Sequence, residues 1–198
     1  MFGLAYLLAF GLYLLIAISV VRWAIRYARD SGRSAKRWGW GAAFVMYSLV
    51  FWDWLPTVAV HQYYCATESG FWVYKTLDQW KAENPGVMGT LTTQRVWPSK
   101  HVGDMKNYVS TDIINQRFNY VFKKNGPFLF NRWRHEQAIL DSKTSEVLAR
   151  HIDFSTGNGN VGGEPELRFW IHSDHCIGGR DNAISFVKFV TQFKGIEK

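Results

Sequence analysis

The sequence predicts an α+β protein: an N-terminal two-helix transmembrane hairpin, then an extracytoplasmic domain with a mainly antiparallel sheet and a C-terminal helix. Three observations predict this fold. The first 60 of the 198 residues contain two long apolar segments. The middle of the chain carries short apolar runs separated by turn formers, and the end of the chain has helical apolar spacing. The predicted units are therefore a membrane hairpin over residues 1–60 and a periplasmic domain over residues 61–198.

The first apolar segment, residues 1–21, has no charged side chain and ends at Arg22 and Trp23. A helix of this length spans about 30 Å, the thickness of the hydrocarbon core of a bilayer. The alternative is a cleaved signal peptide, which would need basic residues before the apolar run and a small-residue cleavage site after it. Nothing basic precedes this run, which favours a retained anchor.

The second apolar segment begins at Trp38 and ends between Trp54 and Val60. The segment 22–37 before it carries six basic residues against one acidic residue. Short basic loops stay in the cytoplasm, so both the N-terminus and the domain after the second span are expected in a bacterial periplasm, with the spans in the inner membrane. The same charges can contact anionic lipid headgroups. The six basic residues are Arg22, Arg26, Arg29, Arg33, Lys36 and Arg37.

Most of the net charge of +7 comes from this segment, so the basic balance predicts a lipid bilayer as partner and no nucleic acid. Both apolar segments also contain small residues, such as Gly39 and Gly41, that allow helices to approach closely. These residues either pack the two spans together or dock them onto other membrane subunits. A homo-oligomer stays open as well.

One acidic residue, Asp53, lies between two tryptophans near the end of the second segment. Counted from Trp38, it lies about 22 Å along a helix, in the outer third of a core about 30 Å thick. Pro56 cannot donate a hydrogen bond to the carbonyl of Trp52, so a kink or helix end is expected there. We expect Asp53 to mark the bilayer boundary, and the alternative is a buried carboxylate that pairs with a partner subunit or with a freed backbone N–H.

Cys65 and Cys176 are the two cysteines. The predicted topology places both outside the cytoplasm, where disulfides persist. A bond between them would close a loop of about 110 residues, for which chain entropy predicts a stabilisation of roughly 4–5 kcal/mol. The alternative is two free thiols, one of which assists a metal. We expect the disulfide.

Several elements of the domain follow from turn, capping and periodicity signals. The clearest is a β-hairpin that pairs residues 133–140 with 146–154 across a polar turn. Thr76 and Gln79 form a capping box for a short helix, and Asp181 is the expected cap of an amphipathic C-terminal helix. Strands or extended segments are expected over 71–74, 90–97, 113–122, 128–139 and 167–172, with an Asn-Gly turn at 123–126.

His172 and His175 precede Cys176, and all three are metal-ligand residue types. If a strand continued to Cys176, His172 and Cys176 would share a face and His175 would point away. The disulfide also competes for the sulfur. We therefore interpret this segment as a polar loop, keep His172 and His175 as candidate metal ligands, and predict no cofactor and no catalytic residue.

Residues 155–163 are rich in glycine, but neither a following helix nor a Lys-Ser/Thr pair supports a phosphate loop. A flexible external loop is the better interpretation. The leading functional hypothesis is a non-catalytic membrane subunit that acts by protein–protein interaction in an envelope complex. The alternatives are a membrane-anchored periplasmic enzyme or metal-binding protein, and a sensor or exclusion factor that uses the glycine-rich loop.

Overall fold

The computed structural model describes residues 2–157 and 169–197. The chain divides into two compact units, Met1–Leu55 and Pro56–Lys198. The described fold is α+β: N-terminal helices come first, followed by a six-stranded antiparallel sheet and a C-terminal helix. The predicted glycine-rich loop lies mostly outside the described residues.

The N-terminal unit consists of helix α1 (Phe2–Asp30) and helix α2 (Ala35–Phe51), which pack against each other. The Tyr13 hydroxyl donates a hydrogen bond to the Met46 carbonyl. Gly39 lies so close to Ile25 that a Cβ there would be 3.0 Å from the Ile25 Cγ1 atom. Small residues thus do allow close helix packing in this pair.

Helix α1 is long and apolar enough to cross a membrane. A second such span exists if α2 and helix α3 (Trp54–Thr67) are counted together as one broken helix. A signal sequence near the N-terminus has the same length and composition. Most of the large apolar side chains of α1 are exposed, among them Leu8, Leu12 and Leu15.

The basic segment is largely helical, because α1 continues past the end of the apolar run to Asp30. The connection to α2 is only residues 31–34, and it contains Gly32 with a φ of +67°, a conformation that favours glycine after a helix. Three of the predicted basic residues (Arg22, Arg26, Arg29) therefore lie on α1, Arg33 lies in the connection, and Lys36 and Arg37 lie in the first turn of α2.

The second apolar segment is broken at Trp52 and Asp53, between α2 and α3. The Asp53 side chain is buried, with 4% of the residue exposed. Pro56 lies in the first turn of α3, where its missing N–H leaves the carbonyl of Trp52 without its helical partner. The predicted interruption is therefore present, and it lies just ahead of the proline.

The C-terminal unit is built on a six-stranded sheet in the order β1-β7-β6-β5-β4-β3, in which all neighbours are antiparallel. A separate parallel pair joins β2 to β8. The predicted hairpin is confirmed as β6 and β7, with Ile139 opposite Ala149. The strands are β1 (Gly70–Val73), β2 (Thr92–Thr93), β3 (Ser99–Gly103), β4 (Asn107–Ile113), β5 (Phe118–Phe128), β6 (Arg132–Asp141), β7 (Val147–Thr156) and β8 (Ile196–Glu197).

Two helices cover one part of this sheet. Helix α4 (Leu77–Glu83) has the predicted capping box, in which Thr76 accepts from the Gln79 N–H and the Gln79 side chain accepts from the Thr76 N–H. Helix α5 (Gly179–Thr191) brings Phe186 against Phe71 of β1, with ring centroids 5.8 Å apart. Among the described residues, no helix covers the other part of the same sheet face.

The predicted turn at 123–126 is wrong, because β5 continues through it. Asn125 is paired on both sides, with Asn107 of β4 and Arg134 of β6. Pairing on two edges outweighs a local turn preference. The irregularity that remains is a register shift between Asn125 and Phe128.

Four further boundaries differ from expectation. The described part of the predicted strand 167–172 is a 3-10 turn, Phe169–Ile171. Only Thr92–Thr93 of the predicted extended segment 90–97 forms a strand, and a turn at 114–117 separates β4 from β5. Helix α5 begins two residues before Asp181, after Gly178 in a left-handed conformation, so Asp181 lies in its first turn instead of capping it.

Candidate functional site

The floor of the candidate site is formed by two rows of side chains across the sheet. Because antiparallel partners lie on the same face, the register aligns one row from β4 to β7 and a second row beside it. The first row is Tyr108, Lys124, His135 and Asp153. The second row is Ser110, Phe122, Gln137 and His151.

A cavity of about 920 Å³ lies over these rows. It falls within the size range of small-molecule and peptide-side-chain pockets. One wall comes from the segment before α5, and another comes from the connection between β3 and β4. The polar lining of the cavity includes His135, Gln137, His151, Asp153, His172 and His175.

Asp153 is the most tightly held group of the cavity, with 3% of the residue exposed. Its Oδ1 accepts from the N–H groups of Phe154 (2.9 Å) and Cys176 (3.0 Å), and its Oδ2 lies 2.8 Å from Nδ1 of His175. A Cβ added to Gly179, the first residue of α5, would lie 2.8 Å from both Asp153 oxygens. A helix N-terminus stabilises a nearby anion, so the glycine lets this carboxylate approach a favourable position.

The contact with Asp153 fixes the orientation of His175. A carboxylate that accepts from Nδ1 holds the ring in one tautomer and leaves Nε2 for another partner. The His175 side chain is 55% exposed, so its free side is accessible to a ligand. This arrangement can accept or donate a hydrogen bond at a fixed point of the cavity.

His151 is the least satisfied group of the cavity. It is 2% exposed, and among the described residues neither of its ring nitrogens has a hydrogen-bond partner. Its ring stacks on the Phe186 ring, with the two ring centroids 6.1 Å apart. Burial lowers the pKa of His151, against smaller opposing effects of Asp153 and the Gly179 backbone. His151 is therefore a neutral imidazole whose nitrogens form no well-aligned hydrogen bond within the described residues, with the Gly179 backbone as a weak polar neighbour.

Two neighbours add to this polar floor. The Oε1 atom of Gln137 is also buried without a partner in the described part of the chain. Nε2 of His135 is hydrogen-bonded to the Ser155 hydroxyl at 2.8 Å. Burial, assisted by the nearby charge of Lys124, lowers the pKa of His135 to about 4. At neutral pH His135, His151 and Gln137 are therefore uncharged, and they lie beside the ionisable side chains of Lys124 and Asp153 on the same floor.

Both candidate metal ligands of the sequence line this cavity, but they have different partners. His172 contacts Asp174, with Nε2 and Oδ1 2.9 Å apart, while His175 contacts Asp153. Within residues 2–157 and 169–197, the one group of three candidate ligands whose ligand atoms lie within 4.8 Å of one another is elsewhere: His61, Cys65 and Cys176. The proposed role of His172 and His175 in metal binding stays a prediction.

The disulfide between Cys65 and Cys176 is present, with a Cα–Cα distance of 5.4 Å. It joins α3 to the segment that carries His175. Cys176 packs with Ile152 and Phe154 of the strands, so the bridge belongs to a small apolar cluster beside the cavity. A second cavity of about 530 Å³ borders the bridge and is lined by His61 and Cys65.

The sequence motif at 172–176 points to His172 and His175, whereas His135 and His151 lie apart in the sequence. Strand alternation nevertheless gives a signal for them. Within the predicted hairpin, alternation places residues 135 and 137 on one face, and 151, 153 and 155 on one face. Alternation alone does not predict the strand register, and it is the register that brings these faces together as one surface.

The described fold and cavity define an α+β domain with a polar, histidine-lined pocket on its sheet. No family model, no curated protein and no solved structure matches the chain. Function is therefore inferred from the site itself.

Proposed function

We propose that the chain is an inner-membrane protein with two spans, whose N-terminus and C-terminal domain lie in the periplasm. The apolar exposed surface of α1 supports this proposal, as does the broken second apolar segment. The basic residues between the two segments support the orientation. The disulfide is consistent with an oxidising compartment.

We further propose that the domain is non-catalytic and acts by binding a polar segment of a partner protein in the histidine-lined cavity. The observation that carries this proposal is the unpartnered state of His151. A buried polar group without a partner costs about 1–3 kcal/mol. His151 and Gln137 both carry this cost at the floor of an open cavity. These atoms have almost no solvent-accessible surface, so a partner that supplies a donor and an acceptor recovers this cost once a side-chain shift at the floor exposes them.

The chemistry of the cavity indicates what the partner segment offers. His135 and His151 are neutral at pH 7 because burial lowers their pKa values. Neutral imidazole offers one donor and one acceptor, and the amide oxygen of Gln137 is a further acceptor. Phe122 and Met105 add apolar walls. These groups suit an uncharged polar side chain or a peptide group better than a strongly charged one.

The test is a His151→Leu variant, because leucine removes both unpaired nitrogens and keeps the contact with Phe186 apolar. We expect the free energy of unfolding to rise by about 1–2 kcal/mol, since the desolvation cost disappears. We expect capture of the partner from mild-detergent membranes to be lost. The measurements are denaturant unfolding and co-purification, followed by crosslinking of the captured protein to the cavity.

The matched control is Lys100→Leu, which changes an exposed side chain of β3 on the sheet face away from the cavity. It should leave capture unchanged. Equal capture by wild type and His151→Leu would contradict the proposed site. If native mass spectrometry found a bound small molecule instead of a protein, the occupant of the cavity would be a free ligand and not a segment of a partner protein.

Asp53 is proposed to support docking onto a membrane subunit of the same complex. Because only 4% of the residue is exposed, it acts by holding the break between α2 and α3 in shape, and an acid within a span defaults to a functional group. In the same co-purification, Asp53→Asn should reduce the yield of the complex. An unchanged complex would leave Asp53 as a mark of the bilayer boundary.

A further inference from the structure

The disulfide region contains a second group of ligand-type side chains, independent of the cavity described above. His61 and Cys65 lie one turn apart on α3, and Cys176 lies just before α5. One imidazole nitrogen and the two sulfur atoms lie within 4.8 Å of one another. His61 is 9% exposed and Cys176 is 5% exposed, so two members of the group are held by their surroundings.

Imidazole and thiolate are the ligands that zinc prefers in proteins. With Zn–S near 2.3 Å and Zn–N near 2.0–2.1 Å, a tetrahedral site places its nitrogen and sulfur ligands about 3.6 Å apart. The observed distance from Nε2 of His61 to Sγ of Cys65 is 3.5 Å. Ligands at positions i and i+4 of a helix also lie on one face, a spacing that protein zinc sites use.

We propose that reduction of the Cys65–Cys176 disulfide converts this group into a zinc site with His61, Cys65 and Cys176 as ligands. In the oxidised protein both sulfur atoms are committed to each other. A dithiol reductant transfers two electrons and two protons, so that the disulfide becomes two thiols and the reductant becomes a disulfide. Zinc then binds both sulfurs as thiolates and displaces the two protons.

The adjacent cavity of about 530 Å³ gives an ion access to the site and leaves space for a fourth ligand. It is lined by His61 and Cys65, so an ion reaches the ligands without opening the core. It also has room for a water molecule as the fourth ligand, as in zinc sites with three protein ligands. A disulfide oxidant would take two electrons from the two thiolates and become a dithiol, which re-forms the protein disulfide, releases the metal and makes the site redox-dependent. This inference does not depend on the proposed binding function.

The test uses the full-length protein in detergent, with Co²⁺ as a spectroscopic substitute for zinc. After reduction with a phosphine, which binds metals weakly, one equivalent of Co²⁺ should produce a sulfur-to-cobalt charge-transfer band and tetrahedral d–d bands. Zinc should displace the cobalt. The oxidised protein should show neither band. A reduced, folded protein that shows no thiolate band at one equivalent would overturn the proposal.

Variants separate the ligands from other histidines. Cys176→Ser should abolish the charge-transfer band at one equivalent, and His61→Ala should weaken cobalt affinity by at least about tenfold. His101→Ala, at an exposed position, should leave the affinity unchanged. Unchanged affinity in His61→Ala would remove His61 from the site. If reduction unfolds the metal-free protein, recovery of its circular dichroism on addition of zinc supports the proposal, and failure to recover overturns it.

Discussion

His135 and His151 lie on neighbouring strands that the sequence predicts as a hairpin, and each carries a polar residue two positions away. That alternation alone predicts two polar faces. It does not predict that Asp153 meets His175, because 22 residues separate them and the described segment before α5 lacks a predictable period. Burial of His151 is also invisible in the sequence, since a histidine on a strand is as compatible with solvent as with a core.

The charge state of the cavity depends on several groups that face His135. Burial has the largest effect and lowers the pKa of His135. Lys124, His151 and His175 lower it further, while Asp153 raises it. The result is a pKa of about 4, against an ordinary value of 6.5. The unfolded chain therefore binds a proton at this position at a higher pH than the folded chain does.

This difference predicts a loss of stability in acid. Between about pH 6.5 and pH 4 the unfolded state takes up a proton that folded His135 does not, so stability falls as the pH falls and is constant above this window. A His135→Gln variant, which keeps a partner for Ser155, should lose less stability over the window, by about 1–3 kcal/mol. Urea unfolding at a series of pH values measures it.

The control for that experiment is His101→Gln, whose pH dependence should match that of the wild type. Parallel curves for wild type and His135→Gln would show that the proton uptake occurs at another group.

At the scale of elements, the start of α5 and the end of β7 are coupled by one close approach. Gly179 has no side chain at the point where the Asp153 carboxylate meets the helix. The sequence predicts a helix here but begins it at Asp181, because aspartate is a common cap. The actual cap is Gly178, whose φ of +76° suits glycine. The reason for the following glycine lies in β7, which local patterns do not reveal.

A Gly179→Ala substitution tests this coupling. The new Cβ would lie 2.8 Å from both Asp153 oxygens, and three donors hold that carboxylate in place. We expect the free energy of unfolding to fall by about 1–3 kcal/mol from overpacking, despite the higher helix propensity of alanine. The histidine NMR signals should show that the contact between His175 and Asp153 is disturbed.

Gly89→Ala provides the comparison, because no atom lies within 4 Å of its added Cβ. It should leave both stability and the histidine signals close to those of the wild type. A Gly179→Ala protein with wild-type stability would mean that the Asp153 carboxylate moves at little cost.

At the scale of the whole molecule, the sequence predicts the order of the parts well. Apolar length predicts the N-terminal helices, and alternation predicts the central hairpin. The sequence predicts the edges of the sheet less well, since strands such as β3 are exposed along their whole length and carry no apolar pattern. The Asn-Gly turn at 123–126 fails for a related reason: pairing on both sides of β5 is a property of the sheet.

The disulfide is expected to contribute much of the stability of the C-terminal unit. It joins residues 111 positions apart. A Cys65→Ser/Cys176→Ser double variant should lower the free energy of unfolding by roughly 2–5 kcal/mol. Denaturant unfolding in the presence of a chelator measures this loss, and wild type unfolded with a reductant under the same conditions should give a similar midpoint. An unchanged midpoint in the double variant would contradict the expected stabilisation.

The position of that bridge also determines how the domain bears mechanical load. Cys65 precedes β1 and Cys176 follows β7, so strands β1 and β3 to β7 of the sheet lie inside one covalent loop. Tension applied between α3 and the C-terminus passes through the two sulfur atoms and bypasses that loop. Without the bridge, the same pull would reach the edge strand β1 first and peel it from β7. The bridge therefore shields the sheet, and the cavity on it, from force transmitted along the chain.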